Sequence, residues 1–453
     1  MAISSPLALI LAAGLGTRMR SRTCKVLHPV AGKPLLSHVL ATVAEAGARP
    51  VVVLSKESEP ARAVVPQSAV VAMQDPPNGT GDAVRVALDA VPDREGRCWI
   101  VYGDTALVRV ETLQRLMRLL DERDAVLALL TGMVGTDNAY GRIVRNVKGD
   151  VDRIVEVRLA SEKERALPES NFGAYAADLG WLRTAIPRLQ KNETGEIFLT
   201  DLVALAREDK RTVAAHCAED ANEGLGVNTR ADLAAVDGLL RQRIRERHMT
   251  AGVTFLDPAS SSVDADVEIA ADVTIERGCL LEGASRVATG SRIGPYAILR
   301  DSVVGERCRV EASVLEGATL ESDVRIGPFS HLRPGAYLEQ GVEMGNFGEV
   351  KASRLGAGTK MHHFSYVGDA TVGKRVNIGA GTITLNYDGA RKHATEIGDD
   401  SFIGSDSLLR APVRVGKDAA TGAGAVVTKD VPDGMLAVGM PARAIKKYVK
   451  PKK

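Results

Sequence analysis

The first half of the chain alternates short apolar runs with segments in which apolar and polar residues recur at helical spacing. The apolar runs cover residues 7–11, 51–54, 99–102 and 125–131, and the helical segments include 34–46 and 83–90. Continuous apolar runs of this length are typical of parallel strands buried on both faces of a sheet. Their alternation with helices predicts a doubly wound, Rossmann-like α/β domain over residues 1–230.

Residues 231–251 follow a different pattern. Apolar and charged residues alternate at helical spacing, the segment has no proline, and its interior holds a single glycine, Gly238. This pattern predicts one amphipathic linker helix between two domains.

From residue 252 the apolar residues recur every six positions, in three successive phases. These residues are Val263, Ile269, Ile275, Leu281, Val287 and Ile293, then Ile298, Val304 and Val310, then Val314, Leu320, Ile326, Leu332 and Leu338. A period of six matches neither a helix nor a simple strand, but it fits a solenoid in which three hexapeptide faces form one coil. Residues 252–453 are therefore predicted to form a left-handed parallel β-helix, with the apolar residue of each hexapeptide pointing inward.

Composition narrows the choice of function. The 453 residues carry a formal net charge of +1, which gives no basic surface for nucleic acid. The five cysteines are far apart and form no CxxC pair, so neither a disulfide framework nor a zinc site is expected. The apolar run near the N-terminus is too short to span a membrane. We therefore expect a cytoplasmic protein without membrane insertion.

A glycine-rich segment directly follows the first predicted strand. Small residues there let backbone N–H groups approach the phosphates of a nucleotide, and nearby basic residues supply charge for a triphosphate. The segment matches neither the P-loop nor the dinucleotide-binding fingerprint. The candidate residues are Leu11, Ala12, Ala13, Gly14, Arg18 and Lys25.

This segment, the Gly-Lys-Pro turn at 32–34 and several residues downstream resemble the sugar nucleotidyltransferases. The resemblance implies uracil recognition by Gln74, Gly79 and Thr80. It also implies nucleotide, sugar and metal contacts from Tyr102, Gly103, Asp104, Tyr140, Gly141, Arg142, Glu156, Asn171 and Asn228. Asp104 and Asn228 would together hold Mg²⁺. One residue departs from the pattern, since similar enzymes more often have His at the position of Asp82.

The chemistry of nucleotidyl transfer suits this residue set. A sugar phosphate must attack the α-phosphorus of UTP, and the two anions repel each other. Mg²⁺ together with Lys and Arg offsets that repulsion and holds the reactants in line, so no protein nucleophile is needed.

A second polar cluster lies within the predicted β-helix, between residues 331 and 387. With the first half, it resembles the bifunctional N-acetylglucosamine-1-phosphate uridylyltransferases / glucosamine-1-phosphate N-acetyltransferases, over essentially the whole chain. The resemblance implies that His363 is the general base of acetyl transfer, a role that suits the unperturbed histidine pKa of about 6.5. Neighbouring His362 is expected to face the other way, because residues alternate along a strand.

The same resemblance assigns the substrate contacts of this half. Sugar-phosphate contacts would come from Arg333, Lys351, Tyr366 and Asn377. A groove for acetyl-CoA would be lined by Ala380, Asn386, Tyr387, Ser405 and Ala423. Hexapeptide β-helices of this kind usually form trimers, so we expect a homotrimer.

The predicted function is therefore synthesis of UDP-N-acetylglucosamine from glucosamine 1-phosphate, acetyl-CoA and UTP. One alternative is a nucleotidyltransferase for another sugar, in which the β-helix serves only oligomerisation or regulation. Another is a non-catalytic subunit like those of translation-factor exchange complexes. The first alternative predicts no organised cluster of His, Lys, Arg, Asn and Tyr in the coils, but the sequence has such a cluster. The second predicts degraded phosphate-loop residues, but the loop residues are intact.

Overall fold

The computed structural model describes residues 5–193 and 195–448 and divides into two compact units, up to Leu240 and from Arg241. The boundary lies inside the helix Arg230–Thr250. The fold predicted for each half is confirmed.

The first unit is built on a nine-stranded sheet with helices on its faces. The main strands, in spatial order, are Thr212–Cys217, Ala125–Met133, Glu169–Asp178, Arg97–Tyr102, Leu7–Leu11, Arg49–Leu54 and Val70–Met73. Arg142–Arg145 and Val151–Val155 extend the sheet beside Glu169–Asp178, and Pro29–Val30 pairs with Lys33–Pro34 as a separate hairpin. The helices are Leu35–Glu45, Thr80–Asp89, Val110–Glu122, Glu162–Arg165, Leu179–Ala185 and Leu202–Glu208.

Burial on both faces of this sheet explains the continuous apolar runs. In the central strand, Leu7 and Leu9 belong to one hydrophobic cluster, whereas Ala8 and Ile10 belong to a second. The strand is parallel to both of its neighbours. Glu169–Asp178 is antiparallel to the strands on either side, so the sheet is mixed rather than wholly parallel.

The second unit is a stack of short parallel strands arranged in three sheets, consistent with a left-handed β-helix of hexapeptide repeats. One sheet contains Thr254–Phe255, Thr274–Ile275, Arg292–Ile293, Arg309–Val310, Arg325–Ile326, Glu343–Met344, Lys360–Met361, Asn377–Ile378, Phe402–Ile403, Ala420–Thr421, Met435–Gly439 and Ala442–Lys447. The last two of these strands pair antiparallel.

The other two sheets complete the coils. The second contains Ser262–Val263, Leu280–Glu282, Ile298–Arg300, Val314–Glu316, His331–Leu332, Gly348–Lys351, Ser365–Gly368, Ile383–Leu385, Leu408–Arg410 and Val426–Val427. The third contains Glu268–Ile269, Arg286–Val287, Val303–Val304, Thr319–Leu320, Tyr337–Leu338, Arg354–Leu355, Ala370–Val372, Thr395–Ile397 and Val413–Val415.

The inward residues match the six-residue pattern except at two positions. Ile298 and Val314 are only half-buried, and the following residues, Leu299 and Leu315, fill the interior instead. The prediction was wrong there because some faces have five residues, as in the step from Leu299 to Val304. A shorter face shifts the phase without changing the coil.

One corner of the β-helix presents aromatic side chains to the outside. Tyr296, Phe329, Phe347 and Phe364 are all more than half exposed. Phe329 and Phe347 stack, with ring centroids 5.5 Å apart and planes 17° from parallel. Within residues 5–193 and 195–448, no helix is long and apolar enough to cross a membrane.

Candidate active sites

The first unit contains a cavity of about 540 Å³ where several strands of the sheet end. Chain segments that leave the strands Leu7–Leu11, Val70–Met73 and Arg97–Tyr102 all reach it. An open α/β sheet binds ligands at the carboxyl ends of its strands, so this is the expected place for a site. The predicted residues lining it are Leu11, Ala12, Ala13, Gly14, Arg18, Lys25, Gln74, Gly79, Thr80, Tyr102, Asp104, Gly141, Glu156, Asn171 and Asn228.

Two residues singled out from the sequence do not line this cavity. Gly103 donates its backbone N–H to the carbonyl of Leu11 (2.9 Å), and a Cβ at Gly103 would lie 3.0 Å from that of Ala12. Gly103 therefore supports the glycine-rich loop from behind. The side chain of Arg142 is fully buried and donates to backbone carbonyls, among them those of Thr136 (2.8 Å) and Tyr140 (2.6 Å). These contacts fix the loop before Gly141.

Lys25, which is expected to contact phosphates, is the centre of a small polar cluster in the cavity. Its ammonium makes a short ion pair with Asp104 and lies 3.5 Å from Oδ1 of Asn228, which also accepts a hydrogen bond from Arg18 (2.9 Å). A Cβ on Gly16 would come 2.7 Å from the Cβ of Lys25, so the glycine lets the loop close onto the lysine stem. The loop thus places two cations beside one carboxylate and one amide oxygen.

The same atoms are suitable ligands for Mg²⁺. Carboxylate and amide oxygens are hard donors, and Mg²⁺ is often held by one or two carboxylates plus the phosphates of its substrate. Among the described residues there is no group of three or more His, Cys, Asp or Glu side chains placed to hold a metal alone. The oxygens of Asp104 and Asn228 are donors of the kind that Mg²⁺ prefers.

The cavity is also lined by the residues expected to recognise a base. Gln74 is buried and donates from Nε2 to the carbonyl of Gly79 (3.0 Å). Gly79 has a φ of +103°, and a Cβ there would lie 2.5 Å from the carbonyl oxygen of Ile197. Thr80 begins the helix Thr80–Asp89 and accepts a hydrogen bond from the backbone of Leu199 (3.0 Å). These contacts tie the base-recognition segment to the loop around 197.

Two further polar side chains that line the cavity, Glu156 and Asn171, are suited to a sugar. Glu156 accepts a hydrogen bond from Thr200 (3.2 Å), and burial raises the pKa of its carboxyl group. Asn171 donates to the hydroxyl of Tyr175 (2.7 Å) and accepts from the backbone of Gly173 (3.2 Å). Partly buried carboxylate and amide groups can accept from and donate to the hydroxyls and N-acetyl group of a sugar.

In the second unit His363 is exposed and makes no hydrogen bond to another residue within the described ranges. It lies in the corner after the strand Lys360–Met361, and so does His362, which bonds to Glu343 (3.0 Å). The expected alternation of the two rings does not apply, because neither residue belongs to a strand.

Four predicted residues belong to or directly follow strands of the second sheet, on four successive coils. Arg333 pairs with Glu349 (3.0 Å), and Lys351 lies 3.8 Å from Asp369. Asn386 donates to Asp369 (2.5 Å) and to the hydroxyl of Tyr366 (3.3 Å). Asp369, which the sequence did not single out, therefore connects Lys351, Tyr366 and Asn386. Asn377 belongs to a different sheet, where it pairs in register with Lys360.

Small residues form a column along the corner of the coils that carries His363. The backbone N–H of Asp406 donates to the carbonyl of Ala380 (2.6 Å), and that of Gly424 donates to the carbonyl of Ser405 (2.8 Å). Ala423 follows in the next coil and is exposed, as Ser405 is. Tyr387 is 61% exposed and bonds to the carbonyl of Gly389 (2.6 Å) within its own loop. Ala380, Ser405 and Ala423 therefore occupy this corner on the three coils that follow the one carrying His363.

Sequence reasoning missed one further cation at this site. Contact with the ammonium of Lys351 lowers the pKa of Lys392, so the two side chains lie close together. Lys392 comes from the loop that follows Asn386, and nothing in its local sequence indicates where that loop folds.

Comparisons with known proteins decide the family. The family "MobA-like NTP transferase domain" matches residues 8–172, and "Hexapeptide repeat of succinyl-transferase" matches residues 395–429. The "Bifunctional protein GlmU" of Alkalilimnicola ehrlichii is 46% identical over 96% of this chain and 94% of its own length. The chain belongs to the GlmU family. The resemblance predicted from the sequence is thereby confirmed.

Other GlmU proteins match to the same extent. That of Heliobacterium modesticaldum is 43% identical over 95% of this chain and 94% of its own length. That of Streptococcus equi subsp. zooepidemicus is 42% identical over 97% and 96%, respectively. The similarity to GlmU proteins therefore extends through both units.

Proposed function

We propose that the chain makes UDP-N-acetylglucosamine in two steps, one in each unit. The second unit transfers the acetyl group of acetyl-CoA to glucosamine 1-phosphate. The first unit then transfers UMP from UTP to N-acetylglucosamine 1-phosphate and releases pyrophosphate. The observation that carries the proposal is the match to bifunctional GlmU proteins across nearly the whole of both chains.

In the first unit, residues of the cavity would bind and align two anions. Arg18 and Lys25 offset the repulsion between the sugar phosphate and the triphosphate, and Gln74 with Gly79 holds the base. Glu156 and Asn171 face the sugar. Asp104 and Asn228 would hold Mg²⁺, which supplies further positive charge for the phosphates when it is bound.

In the second unit, His363 would act as general base. Its exposed ring takes the proton from the 2-amino group of the sugar, the nitrogen attacks the thioester carbonyl, and the CoA thiolate leaves. Arg333 and Lys351 bind the sugar phosphate as charge-assisted donors, and Lys392 adds a third cation. Tyr366 and Asn377 contact the sugar. The groove formed by Ala380, Ser405 and Ala423, with Asn386 and Tyr387, would take acetyl-CoA.

We also propose a cytoplasmic homotrimer assembled through the β-helix. The aromatic corner of the coils exposes four neighbouring aromatic side chains, and exposed apolar patches mark interaction surfaces. Burial of Phe329 and Phe347 against a second copy would remove that surface from water. A trimer would also bring residues of one copy close to the exposed His363 of another.

The test is a pair of assays on purified protein and on His363→Ala. Release of CoA thiol is followed with glucosamine 1-phosphate and acetyl-CoA, and release of pyrophosphate with N-acetylglucosamine 1-phosphate, UTP and Mg²⁺. Wild-type protein should release both products, and the variant should lose thiol release by roughly 100-fold or more while keeping pyrophosphate release. Pyrophosphate release without thiol release by the wild type would favour a single-activity nucleotidyltransferase with a non-catalytic β-helix.

A further inference from the structure

The amide of Gln74 is held in one orientation by two acceptors. Its Nε2 donates to the carbonyl oxygen of Gly79 (3.0 Å) and to Oδ2 of Asp82 (2.8 Å). Because neither partner can donate, the NH₂ group must point toward both, and the amide assignment is fixed by its surroundings. Within the described part of the chain no group donates to Oε1 of Gln74, whose side chain lines the nucleotide cavity. Oε1 of Gln74 is therefore available to accept a hydrogen bond from a ligand in the cavity.

Asp82 is itself fixed from the other side. It is 5% exposed and occupies the first turn of the helix Thr80–Asp89, where the helix dipole stabilises an anion. Arg85 donates to its Oδ1 twice, from Nε (3.0 Å) and from a terminal nitrogen (2.7 Å). Arg85 also reaches Asp89 (3.1 Å), and its hydrogen bond to Asp82 raises the pKa of the guanidinium. Oδ1 of the Asp82 carboxylate thus accepts hydrogen bonds from Arg85, and Oδ2 accepts one from Gln74.

We propose that Asp82 is a positioning residue that sets the hydrogen-bond polarity of Gln74 and thereby selects uracil over cytosine. The inference rests on the proposed nucleotidyl transfer. Uracil carries an N–H donor at N3, which can bond to Oε1. Cytosine has an acceptor at N3, and it would meet Oε1 as one acceptor facing another. The two bases share the same ring size, so a cavity of fixed shape discriminates between them poorly without this polarity.

The experiment compares UTP with CTP in Asp82→Asn. In this variant Arg85 keeps the side-chain oxygen, so the new NH₂ group faces the NH₂ group of Gln74, and the amide of Gln74 loses its single preferred orientation. We expect the ratio of kcat/KM for UTP to that for CTP to fall about tenfold or more, which corresponds to one inverted hydrogen bond. The value for CTP itself should stay the same or rise. A purely structural role would lower both values together.

The controls separate this proposal from the function on which it rests. Asp89→Asn removes the other acidic partner of Arg85 without touching Gln74, and it should keep the wild-type ratio. Asp82→Ala decides the question by the same ratio if Asp82→Asn does not fold, as judged by thermal melting. An unchanged ratio in the folded variants overturns the proposal while leaving nucleotidyl transfer intact. If wild-type protein releases no pyrophosphate from any triphosphate, the proposed function fails, and this proposal fails with it.

Discussion

A residue that lines the nucleotide cavity, Glu156, destabilises the folded protein, and its proposed role in substrate binding explains why. Glu156 lies in a partly buried position that raises the pKa of its carboxyl group, whereas nearby Glu164 is hydrogen-bonded by Ser161 and its pKa is lowered to about 2. A buried carboxylate with a raised pKa destabilises the folded protein at neutral pH. Glu156 is thus better suited to binding a polar substrate than to stabilising its own fold.

Glu156→Gln should therefore stabilise the folded protein at neutral pH and lower its nucleotidyltransferase activity. The folded protein holds this proton at pH values where the unfolded chain, with a pKa near 4.5, has released it. Wild-type stability accordingly falls as pH rises from the unfolded pKa through the folded one. The melting temperature of the variant, relative to wild type, should be higher at pH 7.5 than at pH 4, while kcat/KM for pyrophosphate release falls about tenfold or more.

Glu164→Gln is the matched control, with the opposite sign. A lowered pKa stabilises the folded protein above pH 4.5, and this stability is lost as pH falls toward 2. The variant should melt below wild type at neutral pH, with pyrophosphate release unchanged. If Glu156→Gln melted below wild type at pH 7.5, burial of the Glu156 carboxylate would not be destabilising, and its inferred cost to the fold would be refuted.

At the scale of elements, the coils of the β-helix position the acetyltransfer residues through backbone packing. A Cβ on Gly345 would lie 2.0 Å from the carbonyl oxygen of His362 in the next coil. Only glycine lets the two coils approach this closely, so the corner that presents His363 depends on Gly345. A glycine one coil away thus controls the position of the corner that carries His363, the proposed general base.

Gly345→Ala should shift the corner around His363 and lower acetyl transfer. A displacement of about 1 Å in a catalytic group can reduce the rate about 100-fold. Thiol release should fall on that order, while pyrophosphate release stays at the wild-type level. Gly238→Ala is the control, because a Cβ there meets nothing within 4 Å in the helix Arg230–Thr250. It should keep both activities and stabilise the protein by about 0.5–1 kcal/mol.

The sequence predicts elements with a strict period better than it predicts irregular ones. Six-residue spacing identified the β-helix, but it misplaced Ile298 and Val314 because a five-residue face changes the phase without leaving a local signal. Lys392 and the contact between Asp82 and Gln74 were missed for a related reason. Lys392 lies in an irregular loop and Asp82 in the helix Thr80–Asp89. Each contact depends on how separate segments meet, which no period in the sequence indicates.

At the scale of the whole molecule, the proposed trimer links the exposed aromatic corner to acetyl transfer. Phe329→Glu combined with Phe347→Glu places two charges where the rings now stack, and charges are costly to bury in an apolar interface. The variant should sediment as a monomer in analytical ultracentrifugation. Thiol release should fall by at least roughly tenfold if a second copy completes the site, whereas pyrophosphate release should persist.

Val147→Glu is the control for added charge, since Val147 is fully exposed in the first unit. It should keep the oligomeric state and both activities. A wild-type protein that sediments as a monomer would refute the trimer, and a monomeric variant with full thiol release would show that one copy carries the whole acetyltransfer site.

The coils of the β-helix also have a mechanical consequence. Apart from the antiparallel pair Met435–Gly439 and Ala442–Lys447, each described strand of the coils pairs only with the equivalent strands of the coils directly above and below it. A force that pulls the C-terminal end along the stack therefore acts on the hydrogen bonds of one coil at a time. The coils closer to the N-terminal end of the stack bear no load until the coils beyond them have detached. Detachment should begin at the last coils and move toward the corner that carries His363, so the coils beyond that corner protect it from mechanical damage.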